Sequence, residues 1–363
     1  MIEARIRKRF PQGRESAGFS LDVEFEAGPG VTVLFGASGA GKTLTLDTIA
    51  GFVKPDEGRI LLDDVILFDA VAGVNLPPRE RRCGYVFQNY ALFPHMTLRE
   101  NLTFAAGGWP RAERRRKVNE VLERFRLADI AGRMPHELSG GQKQRGSIAR
   151  ALVGGGASHA GGTRILLLDE PAQGLDAPLR EEFYAVLRQV KAEFGTPALL
   201  VTHSLEECCA LADYMHVVSA GRLARSGTPR EVIEEPGSAD VARLLGLYNL
   251  ISGEVRALDP GRNRSRLKLG EFEVEARYLP GRLIGDRVTV YVRPAELRAS
   301  PKDGRPGVNQ AALVLRQVVD LAEGVRLEFE SGIAVEMTRA DYALSAAARE
   351  WLVEFPASSL RVL

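Results

Sequence analysis

Residues 36–43 read Gly36-Ala37-Ser38-Gly39-Ala40-Gly41-Lys42-Thr43, and they indicate the fold class of the first part of the chain. It follows the apolar, β-branched run 31–35, which predicts a strand, and it leads into residues 42–50, which suit a helix. Strand, glycine-rich loop and helix in this order form a phosphate-binding loop, whose amides converge on phosphate groups at a helix N-terminus. We therefore predict that Lys42 reaches the β and γ phosphates of a nucleotide and that the Thr43 hydroxyl ligates Mg2+.

Two further apolar runs end on polar residues, as buried parallel strands do at the functional edge of a sheet. Residues 165–168 precede Asp169 and Glu170, and residues 198–201 lead towards His203. We expect Asp169 to hold Mg2+ and Glu170 to accept a proton from an attacking water. The three runs together predict an α/β domain with a nucleotide site at one edge of its sheet.

The composition is that of a globular protein without a strong electrostatic field. The chain has 363 residues, of which 45% are hydrophobic and 26% charged, and this suits two or three domains. Its 48 Lys and Arg balance 47 Asp and Glu, so we do not expect a nucleic-acid partner. Three cysteines without metal-binding spacing indicate a reducing compartment. We expect neither a secretion signal nor a membrane span, because no run of about 18 apolar residues occurs.

A change in composition about two thirds along the chain predicts a domain boundary. Residues 1–235 contain the α/β pattern, and within them residues 97–153 carry apolar positions at helical spacing, which predicts a helical subdomain. Residues 236–363 read as short strands separated by Gly, Asp and Pro, which predicts an all-β domain. Pro294 and Pro356 lie in similar segments of that domain, and this indicates two copies of a small β unit.

Further motifs resemble those of one family. The stretch Leu138-Ser139-Gly140-Gly141-Gln142-Lys143-Gln144-Arg145 resembles the signature sequence of ATP-binding-cassette proteins. Gln88 is similar to the glutamine of the family's Q-loop, His203 resembles its switch histidine, and Gly174-Leu175-Asp176 resembles its D-loop, although Gln173 and Gly174 depart from the usual small residues. The motifs occur in the family's order within the first domain.

The resemblance implies a P-loop NTPase fold with a RecA-like core, antiparallel β and helical subdomains, and a C-terminal OB-like barrel of the TOBE/MOP type. It implies ATP and Mg2+ as cofactors. Ser139, with the amides near Gly140 and Gly141, would open a helix near Gln142 and form a second anion-binding terminus. In the family this terminus faces the nucleotide held by a partner's phosphate-binding loop, which implies a homodimer with two ATP molecules between its subunits.

The predicted site residues fall into three groups. An aromatic ring stacks on adenine in the family, and Phe10 is the best positional match, with Phe19 as the alternative. The predicted nucleotide-contacting residues are Phe10, Gly36, Ala37, Ser38, Gly39, Ala40, Gly41, Lys42, Thr43, Ser139, Gly140, Gly141, Gln142 and Asp176. The predicted Mg2+ ligands are Thr43, Gln88 and Asp169, and the predicted catalytic residues are Glu170, His203 and Gln88.

The resemblance also implies partners and a location. In the family, an integral membrane permease docks on the segment that corresponds to residues 89–103, and an extracytoplasmic solute-binding protein acts indirectly. The expected position is peripheral, on the cytoplasmic face of the inner membrane. Cassettes followed by such barrels are mainly importers, and the sequences of the phosphate-binding loop and the Q-loop are similar to those of sulfate and molybdate importers. Iron, polyamine and sugar importers are the alternatives.

Two non-transport classes share the signature motif. DNA-repair and chromosome-maintenance ATPases separate their nucleotide motifs by long heptad coiled coils, and no heptads lie between Gly36 and Asp169. Ribosome-associated translation factors usually carry two cassettes in one chain, whereas this sequence has one phosphate-binding loop. A transport ATPase is therefore the favoured reading, with oxyanion binding by the β domain as a compatible addition.

Overall fold

A computed structural model describes residues 1–11, 18–87, 89–154, 162–344 and 348–363. The chain folds into two compact units, residues 1–235 and residues 236–363.

The first unit is built on an eleven-stranded sheet. The strands are β1 (Ile2–Phe10), β2 (Phe19–Ala27), β3 (Val31–Phe35), β4 (Glu57–Leu62), β5 (Val65–Asp69), β6 (Val74–Asn75), β7 (Cys83–Val86), β8 (Ile165–Asp169), β9 (Ala198–Thr202), β10 (Tyr214–Ser219) and β11 (Arg222–Gly227). The parallel part has the order β10-β3-β9-β8-β7, and every residue of β3 is buried. Strands buried on both faces need continuous apolar runs, which is why β3 and its neighbours contain so few polar residues.

An antiparallel flank continues the sheet on one side. Its order is β6-β5-β4-β1-β2, and β2 joins β11. Along β1 and β2 buried and exposed residues alternate, because successive side chains point to opposite faces of a strand. The predicted RecA-like core with an antiparallel flank is confirmed.

Helices cover the sheet and form the helical subdomain. The helices of this unit are α1 (Lys42–Ala50), α2 (Leu98–Ala105), α3 (Arg111–Arg124), α4 (Gly140–Val153), α5 (Ala177–Phe194), α6 (Leu205–Leu211) and α7 (Pro229–Glu234). The predicted helical insertion at 97–153 contains α2, α3 and α4, and α2 begins with a capping box in which Thr97 and Glu100 satisfy each other's backbone amides. None of the helices in the described ranges has the length and apolarity needed to cross a membrane.

A buried arginine holds the C-terminal end of α1. Arg81 is 1% exposed, and its guanidinium donates to the carbonyl oxygens of Thr48 and Ile49 at 2.7 and 2.8 Å. It also donates to the Leu76 carbonyl and to Asn75 Oδ1, each at 2.8 Å. Burial lowers the pKa of Arg81. The last carbonyls of a helix have no partner within the helix, so Arg81 closes the helix that begins at the phosphate-binding loop.

The second unit consists mainly of two five-stranded sheets. Its elements are α8 (Ala239–Leu245), β12 (Asn249–Asp259), β13 (Arg264–Leu269), β14 (Phe272–Arg277), β15 (Arg287–Val292), β16 (Arg298–Pro301), β17 (Gln310–Asp320), β18 (Val325–Phe329), β19 (Ala334–Met337), α9 (Arg339–Ala343), β20 (Glu350–Glu354) and β21 (Arg361–Val362). The sheet orders are β14-β13-β12-β15-β21 and β19-β18-β17-β20-β16, so the sheets correspond strand by strand.

The fifth strands of these sheets are exchanged. Strand β16 follows the first four strands along the chain but pairs with β20, and β21 returns from the second sheet to pair with β15. Asparagine side chains add matching links, because Asn249 bonds both the amide and the carbonyl of Ala334, and Asn309 does the same with Glu275. Both sheets share one apolar core around the fully buried Trp351. The predicted all-β, OB/TOBE-like domain is confirmed.

Candidate functional site

The phosphate-binding loop connects β3 to α1. Any side chain at two of its glycines, Gly36 and Gly41, would force neighbouring atoms or the backbone to move. A Cβ at Gly36 would lie 2.2 Å from the Val218 carbonyl oxygen, and Gly41 has φ 101°, a left-handed conformation. Ala37, Ser38 and Gly39 form the exposed crest of the loop. The loop therefore presents its backbone to solution at the N-terminus of α1, where an anion is favoured.

Lys42 lies inside the loop. Its side chain is 4% exposed, and Nζ donates to the carbonyl oxygens of Gly36 and Ala37, both at 2.9 Å. Burial lowers the pKa of Lys42, and the carboxylates of Glu170 and Asp169 oppose that shift. The ammonium thus lies beneath the crest of the loop, within reach of any phosphate bound above it.

Thr43 and Asp169 meet at the edge of the sheet. The Thr43 hydroxyl donates to Asp169 Oδ1 at 2.8 Å. Burial raises the pKa of Asp169, and the Thr43 hydrogen bond opposes it. Both side chains offer oxygen ligands, which Mg2+ prefers, so the pair fits a Mg2+ ion that also binds phosphate. Within the described ranges, no three His, Cys, Asp or Glu side chains cluster as a metal site.

Glu170 follows Asp169 and has an unusual backbone conformation. Its φ is 44°, which is uncommon for a residue with a side chain. Glu170 Oε2 lies 3.2 Å from His203 Nδ1, and Oε1 lies 4.0 Å from Lys42 Nζ. The His203 side chain is half exposed at the end of β9. The structure therefore brings the predicted base, the predicted switch histidine and the loop lysine together.

The signature stretch forms the N-terminus of α4. Ser139 caps the helix, because Gln142 N donates to Ser139 Oγ at 3.3 Å and Ser139 N donates to Gln142 Oε1 at 3.0 Å. The helix begins at Gly140, two residues before the predicted start at Gln142, because the capping box fixes Gly140 and Gly141 in the first turn. Ser139 is exposed, so this helix end is open to an anion from outside.

Hydrogen bonds tie α4 to the rest of the site. Gln144 Nε2 donates to the Pro171 carbonyl at 2.9 Å, one residue beyond Glu170. Ser147 Oγ donates to the Tyr90 carbonyl at 2.9 Å, and Arg150 Nη1 donates to the Ala91 carbonyl at 2.5 Å. The signature helix is thus linked both to the candidate base and to the segment after position 88.

The remaining predicted residues have different surroundings. Gln88 lies outside the described residues. Asp176 caps α5, because its carboxylate accepts from Leu179 N at 3.0 Å. Phe10 is exposed at the end of β1 and pairs in register with Phe19, whose ring lies 3.0 Å from the position of a Cβ on Gly41. Phe19 is therefore the ring nearer to the phosphate-binding loop.

Two groups were missed by the sequence analysis. Tyr85 Oη donates to Asp47 Oδ1 at 2.9 Å, and burial together with Asp169 and Asp47 raises the pKa of Tyr85. Glu207 is buried in α6 behind His203. The signal for Asp47 was its place four residues after Thr43, on the same face of α1. Glu207 had no comparable signal, because an acidic residue in a first helical turn is ordinarily exposed and favoured by the helix dipole.

A phosphate-binding loop, a strand-end Asp-Glu pair and a capped signature helix define a P-loop ATPase of the cassette type. The family model described as ABC transporter matches residues 20–173. The molybdenum import ATP-binding protein ModC of Paramagnetospirillum magneticum is 38% identical over 310 residues, which cover 84% of this chain and 80% of that protein. The chain belongs to the ABC transporter family and is one of its ATP-hydrolysing, ATP-binding subunits.

Further similarities agree with this assignment. The spermidine/putrescine import ATP-binding protein PotA of Nitrosospira multiformis is 38% identical over 305 residues, 83% of this chain and 79% of that protein. A dimeric ATP-binding cassette solved in a post-hydrolysis state with ADP and Pi superposes with a TM-score of 0.51 and 28% identity, over 63% of this chain and 99% of that one.

Proposed function

We propose that two copies of this chain trap ATP at a shared seam and use its hydrolysis to drive an importer. The observation that carries the proposal is the exposed, capped N-terminus of α4 at Ser139, a second anion-binding helix end besides the phosphate-binding loop. Each ATP is held by the Lys42 loop of one copy and by the Ser139 helix end of the other. The dimeric state of the related solved cassette supports this arrangement.

Side chains of the loop and the strand ends hold the nucleotide. Lys42 exchanges its two carbonyl partners for phosphate oxygens, which a charged donor binds more strongly. Thr43 and Asp169 hold Mg2+, and Gln88 remains the predicted third protein ligand. A Mg2+ ion held by these residues would supply positive charge that neutralises the phosphates. Phe10 or Phe19 stacks on adenine.

Glu170 accepts the proton of the attacking water, and His203 orients Glu170 from 3.2 Å while contacting the γ-phosphate. Glu170→Gln keeps the shape of the side chain but removes the basic carboxylate. We expect steady-state hydrolysis to fall at least about 100-fold, with ATP affinity nearly unchanged. Phosphate release and binding of a fluorescent ATP analogue measure the two effects. The exposed Glu123→Gln on α3 is the matched control, and unchanged hydrolysis in Glu170→Gln would refute the role of Glu170.

The seam is tested by a variant that preserves the helix. Ser139→Asp retains an oxygen that caps α4 but places a negative charge where the partner's γ-phosphate would lie. In the Glu170→Gln background with ATP and Mg2+, we expect sedimentation to show dimers, and we expect Ser139→Asp to abolish them while ATP still binds. A Glu170→Gln protein that stays monomeric at high concentration contradicts the shared seam.

We further propose that the transported solute is a molybdate-type oxyanion and that the permease is an integral membrane protein. The relative named for molybdenum import and the one named for molybdate/tungstate import, WtpC of Pyrococcus horikoshii at 39% identity, support this choice. The permease docks on residues 89–103, whose start is tied to α4 by Ser147 and Arg150. The complex acts at the cytoplasmic face of the inner membrane and receives solute from an extracytoplasmic binding protein.

Uptake measurements test the solute. Cells that lack the chain should lose uptake of labelled molybdate and keep uptake of spermidine, and the wild-type gene should restore molybdate uptake. The polyamine importer subunit is equally similar in identity, so loss of spermidine uptake with intact molybdate uptake assigns the chain to the alternative solute.

A second candidate activity is oxyanion binding by the β unit. A cavity of about 520 Å3 in that unit is lined by Arg256, Lys268 and Arg287, with Glu254 pairing Arg256 at 3.1 Å. The excess of cations suits a small anion. Calorimetric titration of the full chain with molybdate, tungstate and sulfate, repeated on Arg287→Gln, tests this. Equal heats in both proteins exclude the cavity as the binding site.

A further inference from the structure

A polar cavity lies behind the candidate catalytic pair. It has a volume of about 270 Å3 and is lined by Glu170 and His203 on one side and by Tyr184 on α5 and Glu207 on α6 on the other. The proposed base and a second carboxyl group, that of Glu207, therefore line the same cavity.

The two groups on the far side are buried and incompletely paired. Glu207 is 3% exposed and Tyr184 is 1% exposed. Considering only residues that the structure describes, Glu207 Oε1 and Tyr184 Oη have no hydrogen-bond partner. Buried polar atoms are ordinarily satisfied, and a polar cavity of this size has room for several ordered waters. We expect water to connect Glu207 and Tyr184 with Glu170.

The charges around Glu207 come from several elements. The pKa of Glu207 is raised to about 7: burial is the main cause and the charge of Glu170 adds to it, while a hydrogen bond from Thr202 and the charges of Arg180 and His203 act against the rise. Its own helix contributes the buried Cys208 and the exposed Glu206, which pairs with Arg180 at 3.1 Å. The adjoining β3 carries no titratable group, and the charged groups of α7 bond within their own helix or its cap: Arg230, Glu231 and Glu234.

We propose that Glu207 accepts the proton that ATP hydrolysis leaves on Glu170 and that water in the cavity carries it. This inference rests on the proposed function, in which Glu170 is the base. One O–H bond of the attacking water breaks, its oxygen bonds to the γ phosphorus, and the bond from that phosphorus to the β-phosphate oxygen breaks, with the electron pair leaving on ADP. The proton passes to Glu170 and then along water to Glu207 Oε1, which restores the Glu170 carboxylate.

The pH dependence of turnover tests the transfer. Glu207 can accept a proton only while it is ionised, so kcat of the wild-type chain should fall below about pH 7. Glu207→Gln cannot accept the proton, and we expect kcat at pH 8 to drop about tenfold, with the KM for ATP unchanged and the fall near pH 7 absent. The exposed Glu206→Gln is the matched control and should keep the wild-type profile.

Tyr184→Phe provides a second variant that removes only a hydroxyl. It deletes a hydrogen-bond donor that stabilises the ionised carboxylate through water, so the fall in kcat should move to higher pH. A Glu207→Gln protein whose kcat still falls near pH 7, or a Tyr184→Phe protein with an unmoved profile, overturns the inference. Glu170→Gln distinguishes failure of the proposed function from failure of this inference. Full hydrolysis by Glu170→Gln refutes the role of Glu170 as the base. An inactive Glu170→Gln together with a wild-type pH profile in Glu207→Gln refutes only the role of Glu207 as proton acceptor.

Discussion

Replacing Arg81 by Met should strongly reduce the stability of the first unit, although it changes none of the predicted nucleotide-contacting residues. Arg81 donates four hydrogen bonds of 2.7 to 2.8 Å, three of them to the backbone carbonyls of Thr48, Ile49 and Leu76. Methionine has a similar length but no donor, so the Ile49 and Leu76 carbonyls lose this partner in a buried setting, whereas the Thr48 carbonyl keeps the Gly51 amide at 3.2 Å. No carboxylate pairs Arg81 within the described part of the chain, so the loss acts on the end of α1.

The size of the effect follows from those bonds. Each buried carbonyl left unsatisfied costs about 1–3 kcal/mol, which gives roughly 2–6 kcal/mol for the two carbonyls of Ile49 and Leu76. Removing a desolvated charge and burying an apolar side chain offset part of that loss. We expect a net decrease of about 2–4 kcal/mol in the free energy of unfolding of the first unit, within the range for a broken buried network.

The two tryptophans allow the units to be followed separately. Trp109 lies in the first unit and Trp351 in the second, and the chain has no other. In a Trp351→Phe background, urea-induced changes in fluorescence report on the first unit. Arg79→Met is the matched control, because the Arg79 side chain is 76% exposed two residues away. An Arg81→Met protein within about 1 kcal/mol of that control would show that the α1 cap contributes little.

Three further predictions concern other parts of the chain. Glu207→Gln should be as stable as the wild type near pH 4.5 and more stable above pH 7, by up to about 3 kcal/mol. Burial raises the pKa of Glu207 from 4.5 to about 7, so the wild type loses stability as pH rises through that window. Parallel urea titrations that give the same difference in unfolding free energy between the two proteins at pH 5 and at pH 8 would contradict this. Trp351→Ala should destabilise the second unit by about 3–5 kcal/mol through the cavity left in its core, seen as a lowered calorimetric transition with the other unchanged. Gly36→Ala should weaken ATP binding in a fluorescence titration, because the new methyl group collides with the Val218 carbonyl, whereas Gly107→Ala, with open space around its Cβ, should bind normally.

The central sheet and the loop could be predicted because local pattern and tertiary position agree there. The run Val31–Phe35 is apolar almost throughout, as a strand buried on both faces requires. The glycine-rich sequence that follows it is typical of a tight phosphate-binding turn. Glu170 and His203 follow such strands, so their proximity followed from the geometry of a parallel sheet. The predicted start of α4 falls two residues late because glycines are poor helix formers and the Ser139–Gln142 capping box outweighs them.

Other features could not be read from the sequence because long-range contacts decide them. An arginine between polar residues is ordinarily exposed, and only the fold places Arg81 under the end of α1. The same holds for Glu207, whose neighbour Glu206 is exposed although the two residues are chemically identical. Strand exchange in the second unit was also hidden, because β16 and β21 have the same local pattern whether they pair within their own copy or across copies.

That exchange affects how the second unit is assembled. Strand β15 gains its outer neighbour only when residues 361 and 362 arrive, so the earlier sheet stays open along one edge while the intervening segment is being synthesised. Contacts of such large sequence separation raise the contact order and slow folding. Newly made chains should therefore depend on chaperone protection until the last strand is available, and the β unit should acquire protease resistance in a single late step.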